Sequence, residues 1–246
     1  MRDDVYEEMF RIEDTHWWYV SKQRIVAKLI ERYAKRGAAK ARLNIADLGC
    51  GCGAMLNRLK DQHDVVGVDS SPLAIQFCAR RGIAVQQGSF PNEIPLQPVV
   101  YDVVLLLDVI EHLQDDYAGV QTAARLLKPG GVAIVTVPAF QWLWSDWDEL
   151  HHHFRRYNRK MLRQVLSTAG LKVELLSYAN TSLFPLAAAA RMVHKMRKKK
   201  IESADMHIPL APVNATFREL YSFERFTLGR LPMPFGLSVV SVARKM

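Results

Sequence analysis

The tightest constraint on this chain is the stretch Asp47-Leu48-Gly49-Cys50-Gly51-Cys52-Gly53, in which glycine stands at every second position from 49. Glycine lets backbone approach a ligand where a Cβ would clash, and it turns with positive φ at little steric cost. The stretch follows a short apolar run, 43–48, and precedes a helical pattern, 54–59. It therefore reads as the turn between a strand and a helix. Asp69 closes the next apolar run, 65–68. An acid about twenty residues beyond a glycine-rich βα turn accepts hydrogen bonds from ribose hydroxyls. The glycines alternate as GxGxG and depart from the GxGxxG of dinucleotide sites. Asp47, just before them, would repel a pyrophosphate but suits the ammonium of an amino-acid ligand.

The flanking pattern fixes the fold class. Residues 1–40 read as helices, with Ser21 as the cap of the second and Gly37 as its end. After the glycine turn, Ser71-Pro72 opens a helix with serine at the cap and proline at the first helical position. Strands follow at 84–87, at 103–107 and, after a helix over 115–127 stopped by Lys128-Pro129-Gly130-Gly131, at 132–137. A helix over 158–170, a strand over 171–178, long helices near 182–200 and 214–231, and a last strand at 237–243 complete the chain. Strands alternating with helices predict a doubly wound, mostly parallel α/β sheet, whose ligands sit beyond the carboxyl ends of the strands. The expected organisation is one domain over 1–246: a helical cap (1–40), a cofactor-binding core (41–178), a helical insertion (179–235) and the last strand (236–246).

Composition narrows the setting. Cys50, Cys52 and Cys78 are an odd, sparse set among 246 residues, which suits a reducing cytoplasm. The charged start Met1-Arg2-Asp3-Asp4 lacks the apolar core of a secretory signal. The net charge of +8 is concentrated at 195–200, where a basic run can close a helix or meet an anionic membrane surface. Its aromatics do not interleave with basic residues as on a stacking platform, so no nucleic-acid partner is expected.

Four segments carry a family resemblance: the glycine stretch 47–53, Val66-Gly67-Val68-Asp69, Tyr101 to Leu113 with Asp108-Val109-Ile110-Glu111-His112 at its end, and Leu127-Lys128-Pro129-Gly130-Gly131. Together they resemble the class I, Rossmann-like S-adenosylmethionine-dependent methyltransferases, in the small-molecule branch of ubiquinone-biosynthesis-type enzymes. The resemblance implies a seven-stranded sheet with an antiparallel last strand. It implies that Asp47, Gly49, Cys50, Gly51 and Gly53 hold the methionine end of the cofactor, that Asp69 with Ser70 holds the ribose, and that Asp108 faces the amino-acid part. Where relatives often carry an adenine-binding Asp after the third strand, this chain has Gln87-Gly88-Ser89-Phe90. Ser89 or Phe90 is the substitute expected. The His16-Trp17-Trp18 segment resembles the family's entry segment, which implies a cofactor contact for Trp17, a basic contact to the cofactor carboxylate from Arg24, and a place for His16 beside the acceptor.

The acceptor side is read from the segment after the fifth strand. Trp144 and the run His151-His152-His153-Phe154-Arg155-Arg156-Tyr157 combine aromatic, imidazole and cationic groups. His152, His153 or His112 can take a proton from a hydroxyl as it is methylated. Trp144, His151, Arg155, Arg156 and Tyr157 are candidates for holding the acceptor. Adjacent histidines rarely converge on one ion, so no metal is expected. The reading is methyl transfer from S-adenosylmethionine, leaving S-adenosylhomocysteine, to a small or lipid-like acceptor, with O-methylation favoured. Peripheral contact with a membrane stays open. A noncatalytic S-adenosylmethionine-binding module and a nicotinamide-dependent oxidoreductase are the alternatives.

Overall fold

The computed structural model describes residues 3–34, 42–197, 208–231 and 233–246. Gly37 and the side chains of the basic run at 195–200 lie outside the described residues.

Two helices come first, α1 (Asp3–Ile12) and α2 (Trp17–Tyr33). Then β1 (Asn44–Leu48), α3 (Ala54–Leu59), β2 (Asp64–Asp69), α4 (Pro72–Arg80), β3 (Val85–Gln87) and β4 (Tyr101–Leu107) alternate. They are followed by α5 (Asp116–Leu126), β5 (Leu127–Pro138), α6 (Asp146–Leu150), α7 (Arg159–Thr168), β6 (Leu171–Ala179), α8 (Phe184–Arg197), α9 (Ala211–Thr227) and β7 (Ser238–Lys245). The seven strands form one sheet in the order β3-β2-β1-β4-β5-β7-β6. The ladders among β1 to β5 are parallel, and β7 runs antiparallel to both β5 and β6. This is the expected α/β architecture.

Alternation along the central strands explains the two-sided core. Ala46, Val104, Leu106, Ala133 and Val135 pack with α5 and α7. Their neighbours Ile45, Val103, Leu105, Val132 and Ile134 pack on the other face with α2, α3 and α9. Side chains on a strand point alternately to opposite faces, so runs buried on both faces read as continuous apolar stretches. Local signals set the helix ends. The Ser71 and Asp115 side chains accept from Ala74 and Ala118 backbone N–H groups, and Asn158 caps α7 in the same way.

Three expectations are corrected. The cap of α2 is His16, whose Nδ1 accepts from the Trp18 N–H. Ser21 lies inside the helix, where its hydroxyl donates to the Arg218 carbonyl and accepts from Ser222. The β5 strand also begins at Leu127, across the Lys128 to Gly131 stretch expected to be a stop, with its register to β4 shifted there.

The third correction concerns α9, which is part of the core. It is held to α2 by the Asn214 amide: Oδ1 accepts from the Trp17 N–H and Nδ2 donates to the Thr15 carbonyl, both at 2.9 Å. Its Glu224 carboxylate accepts from the backbone N–H groups of Asn180 and Thr181 at 2.7 Å, tying the end of β6. Tyr221 is 1% exposed within the cluster shared by α2 and the sheet, whereas Phe223 is 61% exposed. Truncating a buried aromatic costs both transfer energy and a cavity, about 3–5 kcal/mol. Tyr221→Ala should therefore lower the unfolding free energy by about that amount in urea, while Phe223→Ala changes it by under about 0.5 kcal/mol. Equal effects would contradict the placement of α9.

Candidate active site

The glycine turn joins β1 to α3 at the point where strand order reverses, between β1 and β4. Four of the five backbone N–H groups at 49–53 are turned inward. Gly49 and Cys50 donate to the Val68 carbonyl at 2.8 and 3.1 Å, Gly53 to the Cys50 carbonyl at 3.1 Å, and Gly51 to Asp69 Oδ2 at 2.9 Å. The loop is therefore a close, donor-poor surface, unlike the N–H cradle that grips phosphates. Gly51, at φ 55°, shows why glycine is required: a Cβ there would lie 2.6 Å from Met9 Cε of α1. The thiols of Cys52 and Cys78 brace the turn from behind, donating to the Tyr6 and Gly51 carbonyls at 3.3 Å.

Asp69 ends β2 and is buried. Its Oδ1 accepts from the Tyr6 hydroxyl at 3.1 Å and from the Ser71 N–H at 3.0 Å. The helix α1 thus lies over the turn, as a lid would. Burial first, and then Asp69, push the Tyr6 hydroxyl far above its usual range, so it remains a donor. The lid is pinned from the side by Arg81, which meets Glu13 at 2.8 Å and Asp14 at 2.9 Å.

Asp108 follows β4 with φ 56°, a left-handed conformation that Asp tolerates better than most residues. Its carboxylate accepts from the Thr136 hydroxyl at 3.1 Å and meets Lys22 Nζ at 2.5 Å. The same ammonium lies 4.0 Å from the centre of the Trp18 ring. Asp47 is buried at the end of β1. Burial lifts its carboxyl to about 7, against the attraction of Lys22 and with repulsion from Asp69. Burial likewise lifts Glu13 to about 8, against the attraction of Arg81.

Lys22, and not the Arg24 singled out by the resemblance, is the basic residue that meets Asp108. Arg24 turns to α9, where Nη1 lies 2.8 Å from Glu219 and 3.4 Å from the Ser222 hydroxyl. Residues two apart on a helix point about 200° apart, so one of the two can face Asp108. Trp17 is corrected for the same reason. Its ring packs edge-on to Phe217 and Tyr221 of α9, while Trp18 is the tryptophan beside Lys22. His16 is spent as the cap of α2, and burial lowers its pKa to about 4.

On the adenine side, Ser70 and Ser89 are exposed. The Phe90 ring is partly buried against the core and would stand 3.2 Å from a Cβ placed on Gly119 of α5.

The segment after β5 is organised by one buried ion pair. Arg156 donates to both Asp148 oxygens, Nε at 2.7 Å and Nη2 at 2.9 Å, and His153 Nδ1 lies 2.9 Å from Oδ1. Burial alone would raise the Asp148 carboxyl, but the bonds from His153 and Arg156 hold it well below the usual range. Arg156 is therefore not available to an acceptor anion. Arg155 is likewise turned away: it pairs with Asp116 of α5 at 2.9 Å and donates to the Gln114 carbonyl. The Tyr157 hydroxyl donates to Asp116 at 2.7 Å. These two residues line a groove of about 360 Å³ between α5 and α7, on the outer face of the sheet. His151 is held through Nδ1 to the Trp147 carbonyl at 2.8 Å, and His152 is exposed at φ 56°. Trp144 is half-buried.

His112 and His153 come together edge to face, with ring centres 4.6 Å apart. Burial, and then His153, lower the His112 pKa to about 4, so its imidazole is neutral. Sequence reasoning missed Lys22 and the stacked Phe140–Tyr178 pair, with ring centres 4.7 Å apart, that carries on to Trp142 and Phe184.

The raised Asp47 carboxyl has a measurable sign. Its unfolded value is near 4, so ionising it costs the folded chain as pH rises towards 7. Asp47→Asn should leave stability without cofactor unchanged near pH 4 and raise it at pH 8, by at most about 4 kcal/mol. It should weaken binding of a ligand that brings an ammonium to this carboxylate. Urea unfolding at both pH values and calorimetry with S-adenosylmethionine check the pair. A variant that is less stable at pH 8 would contradict the burial argument.

Comparison with known proteins agrees with this geometry. Residues 19–176 match the family model described as a methyltransferase domain. A probable S-adenosylmethionine-dependent methyltransferase of Mycolicibacterium smegmatis is 28% identical over 168 residues, 66% of this chain and 62% of that protein. A ubiquinone biosynthesis O-methyltransferase of Pectobacterium carotovorum is 33% identical over 94 residues, 35% of this chain and 39% of its own length. The matched stretches span less than two thirds of either relative. Among solved structures, the Haloferax volcanii complex of the Trm112 methyltransferase activator with a methyltransferase matches with TM-score 0.58 at 20% identity, covering 99% of this chain and 98% of that one. A Haemonchus contortus phosphoethanolamine N-methyltransferase bound to S-adenosylmethionine matches with TM-score 0.56 at 16% identity, covering 90% of this chain and 52% of that one. At these identities the structures speak for the fold. The chain belongs to the methyltransferase-domain family.

Proposed function

We propose that this protein transfers a methyl group from S-adenosylmethionine to a hydroxyl of a small, partly apolar acceptor. The observation that carries the reading is the chemistry of the crevice between β1 and β4. Asp47, Asp69 and Asp108 gather around a turn most of whose N–H groups are already spent inside the protein. A pyrophosphate would find carboxylates and few donors there. A ligand with a ribose diol and an ammonium would find acceptors. This favours S-adenosylmethionine over a nicotinamide dinucleotide.

When bound, S-adenosylmethionine supplies a methyl group on a positively charged sulfur. The protein's residues bind and orient. Asp69 accepts from the ribose in place of Tyr6, Asp47 and Asp108 face the amino-acid end, and Lys22 takes the role of carboxylate partner. Trp18, Tyr19 and α1 exclude water from the crevice. Alignment of the acceptor oxygen with the methyl carbon is the main contribution a protein makes to such a displacement. A hydroxyl must also lose its proton, and His112, kept neutral by burial, stands with His153 beyond Asp108.

The acceptor's shape is argued from the ends of β5 and β6. Phe140, Trp142, Tyr178, Phe184 and Phe235 form a continuous aromatic wall there, with Trp142 52% and Phe235 40% exposed. An apolar surface of this kind at the rim of a crevice suits a bulky, lipid-like acceptor. Such an acceptor would bring the protein to a membrane face, to which the basic run at 195–200 adds attraction. Among the described residues no helix is long and apolar enough to cross a bilayer.

Two measurements test this. Asp69→Ala should weaken S-adenosylhomocysteine binding in calorimetry by roughly 1–3 kcal/mol, the range for hydrogen bonds to a charged group. Unchanged affinity would remove Asp69 from the site. Trp142→Ala should raise KM for an apolar hydroxylated acceptor at least severalfold and leave cofactor affinity unchanged. An unchanged KM would put the acceptor elsewhere.

A further inference from the structure

Glu111 is the least explained group in the molecule. It sits in the turn after β4, three residues beyond Asp108, and is fully buried. Among the described residues, neither of its carboxylate oxygens has a hydrogen-bond partner. Arg156 is committed to Asp148, and Lys22 lies against Asp108. An isolated buried carboxylate is costly, and structures keep such groups by pairing them or by giving them a cation.

What faces Glu111 is a pair of imidazoles. One carboxylate oxygen of Glu111 and one nitrogen each of His112 and His153 lie within 4.8 Å of one another. The cluster joins two separate segments, residues 111–112 and residue 153. It avoids the geometric objection to the adjacent histidines at 151–153, since His153 alone of that run contributes.

Each imidazole is also steadied from behind. His153 Nδ1 is held by Asp148 Oδ1 at 2.9 Å, and Asp148 is in turn fixed by Arg156. The His112 ring is held by its edge-to-face contact with His153, ring centres 4.6 Å apart. Metal-binding histidines are characteristically oriented as His153 is, one ring nitrogen bonded to a carboxylate or a backbone carbonyl and the other left for the ion.

We propose that Glu111, His112 and His153 form a binding site for a divalent transition-metal ion, Zn²⁺ or a close analogue, on the acceptor side of the crevice. Two imidazoles and one carboxylate are a ligand set of catalytic Zn²⁺ and of other first-row ions, with a position left for water or substrate oxygen. Bond lengths of about 2.0–2.2 Å place tetrahedral ligand atoms about 3.4 Å apart, so small side-chain rotations close the cluster on an ion. At the open position, an acceptor hydroxyl would bind through oxygen. It would release its proton to water and keep the electron pair that forms the O–CH3 bond, as the S–CH3 bond breaks and its pair returns to sulfur in the departing S-adenosylhomocysteine, while the ion stays in one oxidation state. That last role rests on the methyl-transfer reading; metal binding does not.

The test uses the whole protein, freed of metal with a chelator and then exposed to Zn²⁺ or Co²⁺. Wild type should retain about one equivalent through gel filtration, and the Co²⁺ form should show the visible absorption of a low-coordinate site. Glu111→Gln, nearly isosteric, should fold without metal and should bind metal at least tenfold more weakly. His151→Ala should retain the ion. His153→Ala is the second ligand variant, and should lose it. Calorimetry with S-adenosylhomocysteine on the same samples keeps the two readings apart, with cofactor affinity expected to be unchanged in Glu111→Gln. Wild type that binds cofactor but retains neither ion overturns the metal site alone. Equal metal retention by wild type and Glu111→Gln also overturns it. Metal retained without cofactor binding would overturn the methyl-transfer reading and leave the metal site standing.

Discussion

The acidic crevice is held together by the ammonium of Lys22. It contacts Asp108 directly and acts electrostatically on Glu13, Asp47 and Glu111. Carboxylates this close in a poorly hydrated space cannot all ionise, so their charge state belongs to the group and not to each residue. Burial and the Asp108 charge push Glu111 well above the ordinary range, and burial takes Asp47 to about 7. A cationic ligand entering here would complete a balance that Lys22 satisfies only in part. This is a physical reason for the site to prefer a cationic, amino-acid-bearing cofactor.

That arrangement depends on helices far apart in sequence. Lys22 is carried by α2, whose entry is fixed by Asn214 of α9, and α9 is anchored to the end of β6 by Glu224. The same α2 leads back to α1, which lays Tyr6 on Asp69 and Met9 on Gly51. Three strands end in residues with positive φ at the same edge of the sheet: Asp108 after β4, Phe140 after β5 and Asn180 after β6. Strained backbone held by a well-packed surround is common where side chains must be aimed.

Much of the scaffold was legible in the sequence because it rests on local rules. The apolar run at 103–107 and the Ser71-Pro72 cap became β4 and the start of α4 without adjustment to their logic. The placement of the glycine turn and of the acids at 47, 69 and 108 at strand ends was legible for the same reason. What escaped depends on long-range partners. Lys22 and Arg24 are equally basic, and which faces Asp108 is decided by the phase of α2, which begins at Trp17 rather than beyond Ser21. Arg155 and Arg156 look like anion binders until Asp116 and Asp148 are seen to claim them. Tyr221 cannot be distinguished from Phe223 until α2 is in place beside α9. The approach of His153 to Glu111 spans a strand and two helices, so no local pattern announces it.

The most direct measurement is calorimetric titration of the protein with S-adenosylhomocysteine and, separately, with NAD. The expected result is one equivalent of S-adenosylhomocysteine bound per chain and no detectable heat from NAD at the same concentrations, because most of the turn's N–H groups are spent and carboxylates line the crevice. Binding of NAD with no binding of S-adenosylhomocysteine would contradict it.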